Sequence, residues 1–481
     1  MKLRKIYSTS IFISSLVILS GLTPGCKKAI EVGPSLVAGN SSNVFLTNNS
    51  AQAVVSGVYT RLSTGSFFQG TSSISLNMGL AADELMNISS ASSSYGTFYQ
   101  NTYNPLSPPP FWSEFYKVLF SCNTAINGIS GSSTIDAGVK KQLIGELKFL
   151  RAYTYFYAVN LYGTPPLTTS DDYTVNGNLA NSAADDTYKQ ILQDLTDAQA
   201  ALSDNVYVDA SGAAVTDRVR PNKQVASAML ARVYLYLQDW KNAEIQASAI
   251  INNSNYLLVP NLNQVFLKGS KETIWALQPV SQLYLNTIDA YYLVVNASYA
   301  ATTQLPLNTN NLVKAFETGD ARLTNWTGTY TTTTAPVTTY YYAYKYKVAS
   351  LSSTIAVTEY PIAMRLAEQY LIRAEARAQQ NNLTGAAADL NAIRTRAGLA
   401  NTTASTQANL LNAILHERQV ELFSEWGHRW FDLKRSNKLD AVMNVVAPQK
   451  GGSWASFKQL MPVPSNDIRA DANLQQNPGY N

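Results

Sequence analysis

Three glutamates near the C-terminus have a spacing that could support catalysis. Glu417, Glu421 and Glu425 recur at every fourth position, which places their carboxylates along one stripe of a helix. Two carboxylates on one face could act as the acid and base of glycoside hydrolysis. Arg418 and Arg429 lie in the same segment, so the sequence favours a buried ion-pair network, closed by neighbouring tryptophans, over a catalytic centre.

The same segment does not encode a zinc site. The metalloprotease motif HExxH needs two histidines four positions apart, but His416 is followed by Val420 at that position. The whole chain has only two His and two Cys, which is too few for thiolate metal sites, disulfide frameworks or histidine-based triads. We therefore predict no metal, no cofactor and no enzymatic activity.

Aromatic and neutral polar residues dominate the remaining chemistry of the chain. Its 481 residues include 29 Tyr, 15 Phe and 7 Trp, while charged residues make up only 14%. The formal net charge is +4, and Lys2, Arg4 and Lys5 at the N-terminus supply most of it. This charge gives no basic surface for nucleic acid. Flat rings among neutral hydrogen-bonding groups suit uncharged polar ligands, and sugars are the obvious candidates.

Two irregular stretches, 62–110 and 254–358, carry many of these rings. Binding residues concentrate on loops held by a rigid scaffold, and a pyranose needs a ring under its C–H face and amides or carboxylates for its hydroxyls. The candidate ligand-binding residues are Asp83, Tyr95, Phe98, Tyr99, Asn101, Tyr103, Tyr284, Tyr292, Tyr299 and Trp326. Trp326 is the strongest single candidate, because its polar sequence neighbours offer little apolar surface to bury an indole.

The N-terminus has the pattern of an export signal. Residues 1–25 combine a basic start with an apolar run from Ile11 to Leu19, which is too short to span a bilayer permanently. Cys26 follows a small residue and predicts a lipidation site, and the attached acyl chains would anchor the protein to a membrane. Residues 26–50 are polar, contain Gly and Pro, and are interpreted as a flexible tether.

Most of the remaining chain has the apolar spacing of helices, with apolar or small residues near i, i+3, i+4 and i+7. An internal repeat supports a helical frame. Aligning Ala231 with Ala374 also superposes Ala243 on Ala386, so that each unit has small residues 12 positions apart across a helix–turn–helix. This spacing is typical of the tetratricopeptide repeat, in which small residues let paired helices approach closely.

Several long motifs resemble a known family. They lie at 146–166 (ELKFLRAYTYFYAVNLYGTPP), 220–244, 364–379, 390–399 and 416–435, with LMPVPSNDI and QQNPGY near the C-terminus. In this order they are similar to the signatures of the SusD/RagB family, the surface nutrient-binding lipoproteins of starch-utilisation-type systems. The resemblance covers essentially the whole chain after the signal.

The resemblance implies a mainly α fold, in which tetratricopeptide-like helix pairs form a superhelical scaffold and an irregular face with short strands binds ligand. It implies a helical region at 51–253, a loop-rich insertion at 254–358 and a helical region at 359–481. The implied function is glycan binding at the outer-membrane surface and delivery to a TonB-dependent, SusC-like transporter. Capture of peptide or another non-sugar nutrient is the alternative. The resemblance transfers no individual sugar-binding residue, because the irregular stretches match none of its motifs.

Overall fold

The computed structural model describes residues 44–64, 67–88, 94–281, 283–296, 304–333 and 335–480. Helices dominate this part of the chain, as the sequence predicts. They are α1 Asn48–Thr64, α2 Ile74–Ala81, α3 Ser94–Tyr99, α4 Phe111–Gly131, α5 Ala137–Tyr162, α6 Tyr173–Asn176, α7 Ala184–Ala201, α8 Lys223–Tyr236, α9 Trp240–Ile251, α10 Asp289–Leu293, α11 Ala321–Asn325, α12 Leu366–Gln379, α13 Leu383–Arg396, α14 Gln407–Glu421, α15 His428–Arg435, α16 Leu439–Gln449 and α17 Ser465–Ala470.

The described strands are short and form three antiparallel pairs. They are β1 Tyr207–Val208 with β2 Ala214–Val215, β3 Thr273–Ala276 with β6 Ile362–Arg365, and β4 Thr327–Thr331 with β5 Thr339–Ala343. Strand β3 in the predicted insertion pairs with β6 just before α12, which fastens the insertion to the helical frame. In the β4–β5 hairpin, Thr327 lies opposite Ala343 and Tyr330 opposite Tyr340.

The long helices pack in a continuous series. Helix α4 packs on α5, α5 on α7, α7 on α8, α8 on α9, α9 on α12, and α12 on both α13 and α14. Each helix therefore contacts its neighbours along the series, as in a solenoid of helix pairs. This arrangement confirms the predicted tetratricopeptide-like scaffold.

The internal repeat corresponds to two matching helix pairs, α8–α9 and α12–α13. Ala231, Ala243, Ala374 and Ala386 are all fully buried, which confirms the close helix contacts that the alignment predicts. The turns match as well. Gln238 and Asn381 both adopt a left-handed conformation, and the next residue in each unit caps the following helix with its side chain.

Helix α2 is a difference from the sequence-based expectation. It lies inside the stretch 62–110, which we expected to be irregular, and all its residues from Ile74 to Ala81 are buried. A helix that is buried on every side shows no amphipathic period. The spacing of its apolar residues therefore could not reveal it.

The predicted signal peptide, Cys26 and most of the predicted tether lie outside the described residues. Among the helices that the structure does describe, none combines the length and apolar character needed to cross a membrane.

Candidate functional site

The signature glutamates form a buried network of ion pairs, as the sequence favours. Glu421 lies at its centre, where its carboxylate contacts Arg365 at 2.5 Å, Arg322 at 2.9 Å and also Arg396. Burial alone would raise the pKa of the Glu421 carboxyl, but Arg396, Arg365 and Arg322 outweigh it and hold this pKa well below its usual range. Glu421 is therefore ionised and fully neutralised by its neighbours.

The two flanking glutamates belong to the same network. Glu417 pairs with Arg322 at 2.6 Å, and Glu425 pairs with Arg365 at 2.8 Å and with the Nζ of Lys345 at 2.6 Å. We define the ion-pair network by its members Glu272, Arg322, Lys345, Arg365, Arg396, Glu417, Glu421 and Glu425. Glu272, Arg322 and Lys345 come from the stretch 254–358 and the other five from residues 359–481, so the network joins these two parts of the chain.

The predicted arginine partners of these glutamates are wrong. Arg418 pairs instead with Asp432 at 2.6 Å, and Arg429 pairs with Asp83 at 2.8 Å. Successive residues of a helix point in different directions, and long-range partners decide which ion pairs form. With its central carboxylate 0% exposed and held by arginines, the stripe offers no acid–base pair to a substrate.

Trp326, the strongest sequence candidate for a ligand contact, is 0% exposed, and the expectation that it is accessible is wrong. Its Nε1 donates to the carbonyl oxygen of Leu262 at 2.9 Å. Its ring covers the ion-pair network, with the Lys345 Nζ at 5.0 Å and the Arg365 guanidinium at 5.7 Å from the ring centre. The apolar and cationic surroundings that bury Trp326 come from segments distant in sequence.

Four of the candidates from the first irregular stretch are buried and contact other parts of the protein, although the Asn101 Oδ1 has no hydrogen-bond partner among the described residues. Asp83 accepts two hydrogen bonds from Arg429, and Asn101 donates to the carbonyl oxygen of Ala81 at 3.1 Å. Phe98 packs 5.8 Å from Phe111, and the Tyr103 hydroxyl donates to the carbonyl oxygen of Lys458. The structure places these four side chains in the interior rather than on a binding face.

Tyr99 is half-buried at the end of α3. Its ring lies 5.3 Å from the Nζ of Lys450, which also donates to the carbonyl oxygens of Leu80, Ala81 and Ala82. Burial lowers the pKa of the Lys450 ammonium to about 7. The ring face of Tyr99 is therefore covered by an amine that three backbone carbonyl oxygens hold in place.

The structure brings three other candidates together. Tyr95 of α3 meets Tyr292 of α10 edge-on, with ring centres 6.5 Å apart, and Tyr292 meets Tyr291 at 5.1 Å. Tyr284 is the third candidate. Burial is the main cause that raises the pKa of the Tyr292 phenol, and the phenols of Tyr291 and Tyr284 raise it further. We define the tyrosine cluster as Tyr95, Tyr284, Tyr291 and Tyr292. All but Tyr95 are only half-buried, so their rings reach the surface.

A carboxyl group that sequence reasoning did not select lies within the tyrosine cluster. Asp289 is the first residue of α10 and is 5% exposed, and its Oδ1 has no hydrogen-bond partner among the described residues. The Tyr95 hydroxyl likewise has none there. Burial raises the pKa of the Asp289 carboxyl to about 7. The cluster thus combines exposed rings with two polar groups that lack partners in the described structure.

A signal for Asp289 exists in the sequence, because it is the sole acidic residue between positions 273 and 316. Tyr299 and Cys26, two further predicted site residues, lie outside the described residues. In the described ranges, no group of three or more His, Cys, Asp or Glu side chains is arranged to hold a metal ion.

The protein is a scaffold of helix pairs whose irregular face carries partly exposed aromatic rings. Comparison with known proteins gives the family to which this scaffold belongs. A model described as the SusD family matches residues 299–480. A second model, described as starch-binding and associating with the outer membrane, matches residues 50–235. The chain belongs to the SusD/RagB family.

Relatives and solved structures agree with this assignment along nearly the whole chain. The SusD-like protein P2 of Formosa agariphila is 26% identical, and the alignment covers 97% of this chain and 99% of the relative. A SusD superfamily protein from Bacteroides vulgatus has a TM-score of 0.76 at 19% identity, covering 90% of this chain and 99% of that one. A laminarin-binding SusD-like protein has a TM-score of 0.74 at 23% identity, covering 89% and 99%. At these identities the two structures show the shared fold.

Proposed function

We propose that this protein is an outer-membrane lipoprotein that binds glycan non-covalently and passes it to a TonB-dependent, SusC-like transporter. The observation that carries glycan binding is the tyrosine cluster, in which partly exposed rings lie on and next to the helix that begins with the buried Asp289. Rings offer a surface to the C–H face of a sugar, and unpartnered polar groups offer hydrogen bonds to its hydroxyls. The matching family description and the laminarin-binding neighbour support a polysaccharide ligand.

The proposed binding is weak and reversible. An aromatic contact contributes on the order of 1 kcal/mol, so a few rings give millimolar to micromolar affinity. Weak binding suits a protein that passes its ligand to a transporter. Affinity differences reside mostly in the dissociation rate, so a weakly bound ligand is released quickly. The carboxylates of the ion-pair network are buried and paired, and this supports binding without cleavage of the glycan.

The proposed location depends on the predicted lipidation of Cys26 and on the family description, which includes association with the outer membrane. We expect Cys26→Ala to abolish metabolic palmitate labelling and to release the protein from membrane fractions. Labelling that persists in this variant would contradict the anchor. Protease treatment of whole cells would establish surface exposure, and co-purification with a barrel protein from solubilised outer membranes would test the transporter partnership.

The binding function is tested by calorimetric titration of the chain from Lys27 onward against laminarin, starch and a set of neutral peptides. We expect one glycan to bind and Tyr292→Ala to weaken that binding without changing the melting temperature. Tyr173→Ala is the matched control, because Tyr173 is 80% exposed on α6, away from the cluster. Binding of peptide alone would favour the alternative nutrient, and release of sugar products would favour a hydrolase.

A further inference from the structure

A large cleft lies along the segment of chain that leads towards the tyrosine cluster, and the proposed function does not use it. Its volume is about 930 Å³. Three parts of the chain form its walls: helix α1, the β1–β2 hairpin, and the segment that continues from β3 through Leu277 and Gln278 to Val280. Val280 is 40% exposed at this wall.

The charged groups at this cleft are already paired. Lys268 contacts Asp217 at 3.0 Å, and Arg220 contacts Glu146 at 3.1 Å. The Asp209 carboxylate accepts from the backbone N–H groups of residues 211 and 213 and from a serine hydroxyl, all within the hairpin turn. An ionic ligand would have to break one of these interactions, so the charges favour an uncharged ligand.

The other lining groups have the chemistry of a sugar site. Tyr59 presents a ring, held by its hydroxyl bond to Glu146 at 2.9 Å and by Arg220 at 4.9 Å from the ring centre. Hydroxyl and amide side chains line the cleft beside an apolar floor, and they include Thr60, Thr216 and Gln278. An apolar surface with a few neutral polar groups is the usual composition of a small-molecule site.

The cleft is close to the tyrosine cluster. Val280 on its wall is four residues from Tyr284 of the cluster, and four residues span at most about 14 Å. The hydroxyl of Ser63, at the end of α1, donates to the carbonyl oxygen of Gln278 at 2.6 Å, which fixes α1 to this segment. The span between Val280 and Tyr284 is therefore one that an oligosaccharide can bridge.

We propose that the cleft is a second binding site for the same neutral glycan, occupied by sugar units beyond those held on the tyrosine cluster. This inference rests on the proposed function and adds that affinity increases with ligand length. A short oligosaccharide occupies the cluster alone. A longer oligosaccharide also contacts the cleft. Its affinity is higher because, once one end is bound at the cluster, binding of the other end at the cleft is an intramolecular step.

The test uses a bulky maleimide to block the cleft. In the chain from Lys27 onward the remaining native cysteine, Cys122, is fully buried, so a single introduced cysteine is labelled selectively. Val280→Cys places the label at the cleft. Val445→Cys is the matched control, because Val445 is a 61% exposed valine on α16 that lines neither site. Ala214→Trp, from the opposite wall, is a second block.

The probes are a disaccharide and a long oligosaccharide from the glycan that the titration identifies, tested first with laminari- and malto-oligosaccharides. The label at position 280 and the Ala214→Trp substitution should each lower the affinity for the long oligosaccharide about tenfold and leave the affinity for the disaccharide unchanged. The label at position 445 should change neither affinity. If the blocked variants bind the long oligosaccharide with unchanged affinity, or lose affinity equally for both lengths, the proposed cleft site is wrong but the proposed function is not affected. Absence of binding to the unlabelled chain overturns the proposed function with it.

Discussion

The ion-pair network and the tyrosine cluster use polar groups in opposite ways. In the network, carboxylates such as Glu421 are fully buried, and arginines from distant segments neutralise them. In the cluster, the Asp289 Oδ1 and the Tyr95 hydroxyl have no partner among the described residues, and half-buried rings lie beside them. The ion pairs of the network join the stretch 254–358 to the C-terminal part of the chain, whereas the two polar groups of the cluster form no hydrogen bond within the described residues.

Family motifs and the proposed ligand contacts therefore lie in different places. The glutamates of the signature segment 416–435 hold the structure together. The rings of the tyrosine cluster lie outside the sequence motifs that carry the resemblance. Changes in the network should therefore affect stability, and changes in the cluster should affect binding.

The largest effect is expected from Glu421→Ala. Removing this carboxylate leaves the buried network with one positive charge in excess, although Arg322, Arg365 and Arg396 keep their other carboxylate partners. We therefore expect a loss of about 3–5 kcal/mol in the free energy of unfolding. Urea denaturation measures it. Glu317→Ala is the control, because Glu317 pairs with Arg394 at a partly exposed site and its loss should cost at most about 1 kcal/mol. Equal, small losses for both variants would contradict a central role for Glu421.

Trp326→Ala should have an effect of similar size. The substitution removes a fully buried indole and leaves a cavity over the ion-pair network, which we expect to cost about 3–5 kcal/mol. The folded fraction should still bind glycan, since Trp326 lies in the interior. Thermal melting and titration on the same sample check both points. A variant that melts normally but loses the ligand would place Trp326 at the binding site after all.

Asp289→Asn should change how stability depends on pH. Because burial raises the pKa of Asp289 to about 7, the folded chain keeps a proton between pH of about 4 and 7 that the unfolded chain releases. The contribution of Asp289 to the free energy of unfolding is therefore greatest below pH of about 4 and decreases as the pH rises to about 7.

The stability of the wild type relative to Asp289→Asn should decline across this interval and level off above it. Urea denaturation at a series of pH values measures the decline. The surrounding phenols, such as Tyr95 and Tyr292, have pKa values raised above 10 by burial and do not titrate there. A constant difference from pH 4 to 8 would show that Asp289 is not buried as described.

The sequence predicts the scaffold well because its signals are local. Helical spacing, the matched pairs of Ala231 with Ala243 and Ala374 with Ala386, and the long family motifs all lie within single segments. Helix α2 could not be predicted in this way, because it is buried on every side and its sequence has no amphipathic period.

The candidate site is predicted only in part, because burial depends on tertiary partners. Trp326 has polar neighbours in sequence, yet Leu262 and Lys345 from other segments enclose it. Asp289 has apolar neighbours in sequence, yet it lies among tyrosines from α3 and α10. Tyr95, Tyr284 and Tyr292 could be selected as a group of rings in irregular stretches, but the sequence carries no signal for which of the candidate rings would meet.

Hydroxyl-radical footprinting, read by mass spectrometry with and without the glycan that the titration identifies, tests the central claim most directly. Tyr284, Tyr291 and Tyr292 are half-buried and should lose reactivity when the ligand binds, whereas the exposed Tyr173 should react equally in both samples. Protection of the tyrosine cluster would show that the irregular face holds the ligand. Unchanged reactivity of all three tyrosines in a glycan-saturated sample would contradict the account and move the site elsewhere on the molecule.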